Sequence, residues 1–207
     1  MQEPLVYLLD DDAAVRDSLT LLIRSIGLKV VAYSSPKEFL DNYDSKEVGC
    51  LVLDIRMPSM SGLAVQNTIG TKGWDIPIIF ITGHGDTSQC RSAFKAGAAD
   101  FLMKPIDEHT LLDSLQNAIQ KNIASHQHKQ AQKSAHTKFA CLSKREREVC
   151  ELIVVGLPNK QIANKLSVAL RTVENHRAAV FQKLGANSLA ELVRMSIVIE
   201  MPEAKYR

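Results

Sequence analysis

The chain has 207 residues, of which 45% are hydrophobic and 23% are charged, a balance typical of a globular protein and not of a fibrous or disordered chain. No apolar run approaches the roughly 20 residues that span a bilayer, and Met1–Pro4 lacks the basic start of a signal peptide. We therefore expect a cytoplasmic protein with no membrane partner, and the spacing of its four cysteines excludes a CxxC metal or redox motif.

The charges divide the chain into an acidic front and a basic rear. Residues 1–121 hold 11 Lys and Arg against 16 Asp and Glu, whereas residues 141–207 hold 11 against 7. Such a division predicts two domains with different partners, and it suggests a polyanion as the partner of the rear one.

Apolar runs and helical patterns alternate five times in the front half. Each run is continuously apolar, as expected for a strand that is buried on both faces of a parallel sheet. Strands are predicted at 5–9, 28–33, 50–53, 76–81 and 101–103, with helices at 13–25, 36–40, 62–69, 86–96 and from 107. This alternation predicts an α/β domain with helices on both faces of its sheet.

A polar segment joins this half to a wholly helical end. Residues 122–138 contain no Pro or Gly; they could form a flexible linker, but their Ala, Gln and Lys favour an extension of the preceding helix. Ser143 and Glu146 then fit a capping box at the start of a helix. Further helices are predicted at 159–166, 170–184 and 188–199.

Polar side chains follow four of the five predicted strands. Asp10 and Asp11 follow the first, Asp54 ends the third, Thr82 follows the fourth and Lys104 the fifth. Because the carboxyl ends of parallel strands meet at one edge of a sheet, we expect these side chains to lie together. Three carboxylates and a lysine suit a hard cation such as Mg²⁺ and a phosphoryl group, with Asp54 as the nucleophile.

Each of these side chains has an ordinary explanation when it is taken alone. Adjacent carboxylates commonly face water in a turn, a strand-end threonine is commonly satisfied locally, and a lone lysine is commonly exposed. The coincidence of unrelated positions at successive strand ends favours one shared site.

The front half resembles the receiver domain of response regulators. The resemblance is carried by Asp10-Asp11, Leu53-Asp54-Ile55-Arg56-Met57-Pro58 with Gly62, Ile81-Thr82-Gly83 and Lys104-Pro105. It implies a flavodoxin-like (βα)5 domain over residues 1–121, in which Asp54 is phosphorylated by a sensor histidine kinase. The other implied roles are Mg²⁺ or Mn²⁺ binding by Asp11, Asp54, the Arg56 carbonyl and, through water, Asp10; phosphoryl contact by Thr82 and Lys104; and switching by Phe101.

Residues 139 to about 200 resemble the LuxR/NarL type of helix-turn-helix domain, which predicts such a domain over residues 139–207. The resemblance is carried by the stretches 143–149, 156–163 and 171–177, followed by Lys183-Leu184-Gly185. It implies an all-α four-helix domain whose helix 170–184 enters the major groove of DNA. The residues expected at bases are Glu174, Asn175 and Ala178, and those expected at phosphates are Lys160, Thr172, Arg177 and Lys183.

One position departs from the pattern of the resembling family. Ala169, the expected N-cap of helix 170–184, stands where that family usually has Ser or Thr. Alanine cannot accept a hydrogen bond from the free backbone N–H groups of the first turn. We therefore expect this helix start to be less stable than it could be.

Together the two resemblances predict a two-component response regulator of the FixJ/NarL type. We expect an activator that dimerises on phosphorylation, binds an inverted-repeat promoter site and contacts RNA polymerase, with no enzymatic activity beyond its own phosphorylation and dephosphorylation. A regulator that binds DNA constitutively is an alternative. An aspartyl-phosphate phosphohydrolase is disfavoured, because such enzymes usually carry a second carboxylate where this chain has Arg56.

Overall fold

The polypeptide divides after His126 into two units, which we describe separately in a computed structural model. The description covers residues 3–83 and 87–200, without the side chain of Glu200. The predicted helix start at Asp86 lies outside the described residues.

One parallel sheet forms the centre of the first unit. Its strands are β1 (Leu5–Leu9), β2 (Lys29–Tyr33), β3 (Gly49–Asp54), β4 (Ile78–Thr82) and β5 (Asp100–Met103). Their spatial order is β2-β1-β3-β4-β5, so the direction of winding reverses between β1 and β3. This is the flavodoxin-like order, in which ligands bind at the carboxyl ends of the strands beside the reversal. The predicted fold class is therefore confirmed.

Two apolar layers cover the two faces of the sheet. Successive side chains of a strand point to opposite faces, so in β1 Val6 and Leu8 join one buried cluster and Tyr7 and Leu9 join the other. Both faces are apolar, which explains the continuously apolar runs. The covering helices are α1 (Ala13–Ser25), α2 (Pro36–Asn42), α3 (Gly62–Thr71), α4 (Thr87–Lys95) and the start of α5 (Glu108–Ala140).

Helix α5 continues without a break for 33 residues. Residues 122–138 are therefore helical throughout. The buried side chain of Asn122 accepts a hydrogen bond from the N–H of Gly49 at 2.9 Å and donates to the carbonyl oxygen of Asp75 at 2.5 Å. Ser125 donates to the Asp75 carboxylate at 2.6 Å. These contacts hold α5 against the amino ends of the strands beyond residue 121.

Four further helices form the second unit together with the end of α5. They are α6 (Lys144–Val154), α7 (Asn159–Leu166), α8 (Leu170–Leu184) and α9 (Leu189–Glu200). Their apolar sides meet in one buried cluster that includes Val149, Ile162, Val173 and Leu192. The predicted capping box is present, since Glu146 N–H donates to the Ser143 hydroxyl and Ser143 N–H donates to the Glu146 carboxylate.

Helix α8 begins without a side-chain cap. Ala169 occupies the N-cap position with an extended backbone, and its methyl group makes no capping hydrogen bond. We expect Ala169→Ser to raise the free energy of unfolding by about 1 kcal/mol, because a serine hydroxyl can accept a free N–H of the first turn. Urea denaturation of the full chain, followed by circular dichroism, measures the change.

The matched control for this substitution is Ala131→Ser. Ala131 is exposed in the middle of α5, where serine offers no cap and is a weaker helix former, so stability should fall by a few tenths of a kcal/mol. If the urea concentration at the midpoint of unfolding is no higher for Ala169→Ser than for the wild type, the capping argument is contradicted.

Candidate functional site

Three carboxylates converge at the carboxyl edge of the sheet. Asp10 directly follows β1 and Asp54 ends β3, so the two flank the point where the strand order reverses. Oxygen atoms of Asp10, Asp11 and Asp54 all lie within 4.8 Å of one another. Asp10 and Asp54 are buried, whereas Asp11 is exposed. This donor set and spacing fit Mg²⁺, which binds oxygen ligands.

Lys104 reaches the same pocket from the end of β5. Its Nζ atom lies 2.7 Å from Asp10 Oδ2 and 3.6 Å from Asp54 Oδ1. Its backbone N–H donates to the carbonyl oxygen of Thr82 at 2.8 Å, and the Lys104–Pro105 peptide bond is cis. The pocket therefore combines three negative groups and one positive group on rigid strand ends.

Three other predicted residues lie on, or just after, the strands whose ends form the pocket. Thr82 ends β4 and is fully buried. Phe101, in the neighbouring strand, is half-buried and packs against Phe80 with ring centroids 6.5 Å apart. Arg56 lies two residues beyond Asp54, and its side chain is exposed.

The predicted DNA-contacting residues lie on α8 and at the start of α7. Glu174, Asn175 and Ala178 are exposed on α8, and Lys160 is exposed on α7. Thr172 and Arg177 are half-buried.

Arg177 is held by side chains of two helices in the second unit. Its Nη1 atom lies 3.5 Å from Asn159 Oδ1, and its guanidinium lies 5.3 Å from the centre of the Phe181 ring. Together with Glu174, these residues line an open cleft of about 470 Å³ beside α8.

Two family models match the chain along its two units. The model described as "Response regulator receiver domain" matches residues 6–116, and "Bacterial regulatory proteins, luxR family" matches residues 140–196. The chain belongs to the response regulators with a LuxR-type DNA-binding domain. The sequence-based recognition is confirmed, and the family consists of two-component transcriptional regulators, not of conventional enzymes.

Two named response regulators are similar to this chain over nearly its whole length. "Response regulator protein TmoT" of Ectopseudomonas mendocina is 42% identical over 197 residues, which covers 94% of this chain and 89% of the relative. "Transcriptional regulatory protein FixJ" of Azorhizobium caulinodans is 41% identical over 193 residues, which covers 93% of this chain and 92% of the relative.

Solved structures show the same relationship. The structure of response regulator StyR has a TM-score of 0.86 at 42% identity and covers 94% of this chain and 98% of that one. The structure of full-length FixJ from B. japonicum has a TM-score of 0.59 at 36% identity, and the match covers 98% of this chain and 100% of that one. Membership of this family implies a histidine kinase and DNA as partners. Among the described residues, no helix is long and apolar enough to cross a membrane.

Burial makes the charge of Asp54 costly in this response regulator. It raises the pKa of Asp54 to about 6; the neighbouring carboxylates of Asp10 and Asp11 act in the same direction, and Lys104 opposes them. A bound cation would offset this repulsion. The residues present therefore fit the Mg²⁺ site that is typical of receiver domains.

Gly62 lets α3 start against the backbone of Asp54. Its N–H donates to the carbonyl oxygen of Ile55 at 2.9 Å. A Cβ atom at this position would lie 2.4 Å from the Asp54 carbonyl oxygen and 3.1 Å from the Phe80 ring. The glycine of the motif is therefore required by close packing beside the acidic pocket.

Sequence analysis missed two contacts in the turn after β1. Asp12 is the N-cap of α1, and its carboxylate accepts from the N–H groups of Ala14 and Val15. Arg16 was not singled out, yet its Nη1 donates to the Asp10 carbonyl oxygen at 2.8 Å. The only available signal was an arginine one turn after an N-cap, which is too common to indicate such a contact.

Lys183 forms an ion pair within the second unit. Its Nζ donates to Glu146 Oε2 at 2.6 Å, on the same carboxylate that closes the capping box of α6. The Lys183 hydrogen bond, together with the backbone N–H of Ser143, lowers the pKa of Glu146 to about 2. Lys183 therefore pairs with a buried carboxylate of the second unit, while its own side chain stays 41% exposed. The phosphate contact that the resemblance implied remains a prediction.

Proposed function

We propose that this response regulator activates transcription when a sensor histidine kinase transfers a phosphoryl group to Asp54. The observation that carries the proposal is the meeting of Asp10, Asp11, Asp54 and Lys104 in one pocket. A carboxylate oxygen of Asp54 attacks the phosphorus of the kinase's phosphohistidine. The new P–O bond forms as the P–N bond breaks, and the imidazole keeps the electron pair of the broken bond.

Three backbone and side-chain groups are proposed to hold Mg²⁺ or Mn²⁺ directly: the carboxylates of Asp11 and Asp54 and the carbonyl of Arg56. Asp10 acts through a water molecule, because its Oδ1 already accepts from Asp12 N–H and its Oδ2 from Lys104. The ion, when bound, offsets the carboxylate charge and helps to neutralise the incoming phosphoryl oxygens.

Lys104, Thr82 and Phe101 are proposed to convert phosphorylation into a conformational change. Lys104 Nζ already lies 3.6 Å from Asp54 Oδ1, so it can pair with a phosphoryl oxygen at the same place. Thr82 ends the adjacent strand, where its hydroxyl can bind a second oxygen. Phe101 lies in the next strand and can change its packing when Thr82 moves.

The second unit is proposed to read DNA through α8. Residues 1–121 form the receiver, 122–138 the helical linker and 139–207 the DNA-binding domain. The exposure of Glu174, Asn175 and Ala178 supports contacts with bases, and that of Lys160 supports a phosphate contact. Thr172, Arg177 and Lys183 complete the proposed phosphate contacts. The phosphorylated protein is proposed to dimerise in the cytoplasm, bind an inverted repeat and recruit RNA polymerase.

The proposal is tested by DNA affinity with and without beryllofluoride, a phosphoryl mimic, at one stated salt concentration in Mg²⁺. Beryllofluoride should tighten binding of the full chain by about 10-fold, which is a typical allosteric coupling. The Asp54→Asn variant should not respond. Equal affinity of the wild type with and without beryllofluoride would favour a constitutive DNA-binding regulator.

Lys160→Ala should weaken binding to all DNA sequences by a similar factor of several-fold. A phosphate contact supplies affinity without sequence information, so the dependence of log affinity on log salt should become shallower by about 1. Fluorescence anisotropy with a promoter fragment and an unrelated duplex measures both quantities. Lys165→Ala, which removes an exposed lysine at the other end of α7, is the control and should change little. A loss confined to one DNA sequence would contradict the phosphate role.

A further inference from the structure

Every polar group of Asp10 has a partner. Its N–H donates to the carbonyl oxygen of Tyr33 at 3.3 Å, and its two carboxylate oxygens accept from Asp12 N–H and from Lys104 at 2.8 and 2.7 Å. The remaining group, its carbonyl oxygen, accepts from Arg16 at 2.8 Å. Arg16 therefore completes the fixation of the main chain where β1 ends and the acidic pocket begins.

The orientation of the Asp10 carbonyl constrains the position of the Asp11 backbone. Carbonyl and following N–H belong to one planar peptide unit, so holding the Asp10 carbonyl fixes the plane to which the Cα atom of Asp11 is attached. Asp11 is exposed, in contrast to fully buried Asp10, and has little packing of its own to restrain it. A restraint on this peptide unit therefore limits where the Asp11 backbone can lie.

We propose that Arg16 is a positioning residue for the cation site. By holding the Asp10 carbonyl, it keeps the Asp11 carboxylate within reach of the ion that Asp54 also binds. This inference rests on the proposed function, since it takes Mg²⁺ as that ion. Arg16 acts on the ion only through the Asp10–Asp11 peptide unit.

A purely electrostatic role for Arg16 would have the opposite effect on Mg²⁺ affinity. A guanidinium charge near the pocket repels a cation, so removing that charge alone would strengthen Mg²⁺ binding. Loss of a positioning contact weakens binding instead, because contacts that orient metal ligands typically contribute 10–100-fold to affinity. The direction of the change therefore separates the two roles.

The test is Mg²⁺ binding to the full chain, measured by isothermal titration calorimetry. We expect Arg16→Met to weaken binding about 10-fold and Arg16→Lys to restore most of the loss, because an ammonium group can also donate to the carbonyl. Arg24→Met removes the same charge from an exposed position on the same helix and should leave the affinity unchanged. Melting temperatures in EDTA, read for each variant, should stay close to the wild-type value.

Unchanged or tighter Mg²⁺ binding by Arg16→Met would overturn the inference and leave the cation site intact. A wild-type chain that binds no Mg²⁺ would overturn the proposed cation site and the inference with it. Should Arg16→Met fail to fold in EDTA, Arg16→Gln carries the same comparison. Its amide is too short to reach the carbonyl, so weaker binding supports the positioning role and unchanged or tighter binding contradicts it.

Discussion

Asp54→Asn is expected to abolish phosphoryl uptake while the receiver stays folded. The substitution keeps the size of the side chain but removes the nucleophilic oxygen, so no acyl phosphate can form. Incubation of the full chain with acetyl phosphate and Mg²⁺, followed by intact-protein mass spectrometry, should show a phosphorylated species for the wild type and none for the variant.

The stability of Asp54→Asn provides an independent check on the electrostatics of the pocket. Because the folded-state pKa of Asp54 is raised from 3.8 to about 6, the native state binds this proton more tightly than the unfolded state. In the wild type without metal, stability is therefore lost as pH rises through this window. Asparagine avoids the loss, so in EDTA the variant should gain stability relative to the wild type at pH 7 and less at pH 4.

Asp12→Asn is the matched control for Asp54→Asn. It removes the same charge from the same edge of the sheet, and asparagine caps a helix as well as aspartate does. Asp12 caps α1 and has no proposed chemical role, so this variant should still take up phosphate. Phosphoryl incorporation into Asp54→Asn at the wild-type rate would mean that another residue is the acceptor.

Gly49→Ala is expected to have the largest effect on stability. Gly49 begins β3, and a Cβ atom there would lie 1.7 Å from the carbonyl oxygen of Leu5 and 2.7 Å from its carbonyl carbon. These are backbone atoms of the neighbouring strand, so β1 and β3 would have to separate locally at their amino ends. We expect a loss of roughly 3–5 kcal/mol in the free energy of unfolding, a large fraction of the roughly 5–15 kcal/mol that native proteins usually have.

Gly70→Ala is the control for this prediction. Gly70 lies near the end of α3, and its added Cβ would meet no heavy atom within 4 Å outside its own turn, among the described residues. Alanine favours the helix, so the free energy of unfolding should rise by about 0.5–1 kcal/mol. Thermal unfolding of both variants is the measurement. A Gly49→Ala variant that melts near the wild-type temperature would show that the backbone of β1 does not approach Gly49 as described.

The fold and the residues of the acidic pocket could be predicted from the sequence, because both depend on the order of apolar and polar residues along the chain. A strand buried on both faces must be apolar at every position, which makes β1, β3 and β4 visible as runs. Parallel strands all end at one edge, so Asp10, Asp54 and Lys104 could be placed together before any coordinate was known. Neither argument depends on side-chain conformation.

Partners chosen by side-chain geometry could not be predicted in the same way. Lys183 and Glu146 are 37 residues apart, and nothing in their spacing distinguishes an ion pair from two solvated charges. The start of α5 also differs from the prediction by one residue. Asp107 was expected inside α5, but its carboxylate accepts from Thr110 N–H before the helix begins. Ser35 occupies the N-cap position of α2, yet its hydroxyl makes no capping hydrogen bond within the described part of the chain.

The anchoring of α5 by Asn122 determines how far a fragment that contains only the receiver must extend. The match to the receiver family ends at residue 116, and a fragment that stopped there or at residue 121 would lack both Asn122 and Ser125. The N–H of Gly49 and the carbonyl oxygen of Asp75 would then lose their hydrogen bonds to the Asn122 side chain at the amino ends of the strands. A truncated protein intended for isolated phosphorylation studies should therefore extend at least through His126, and shorter versions would understate the domain's intrinsic resistance to unfolding.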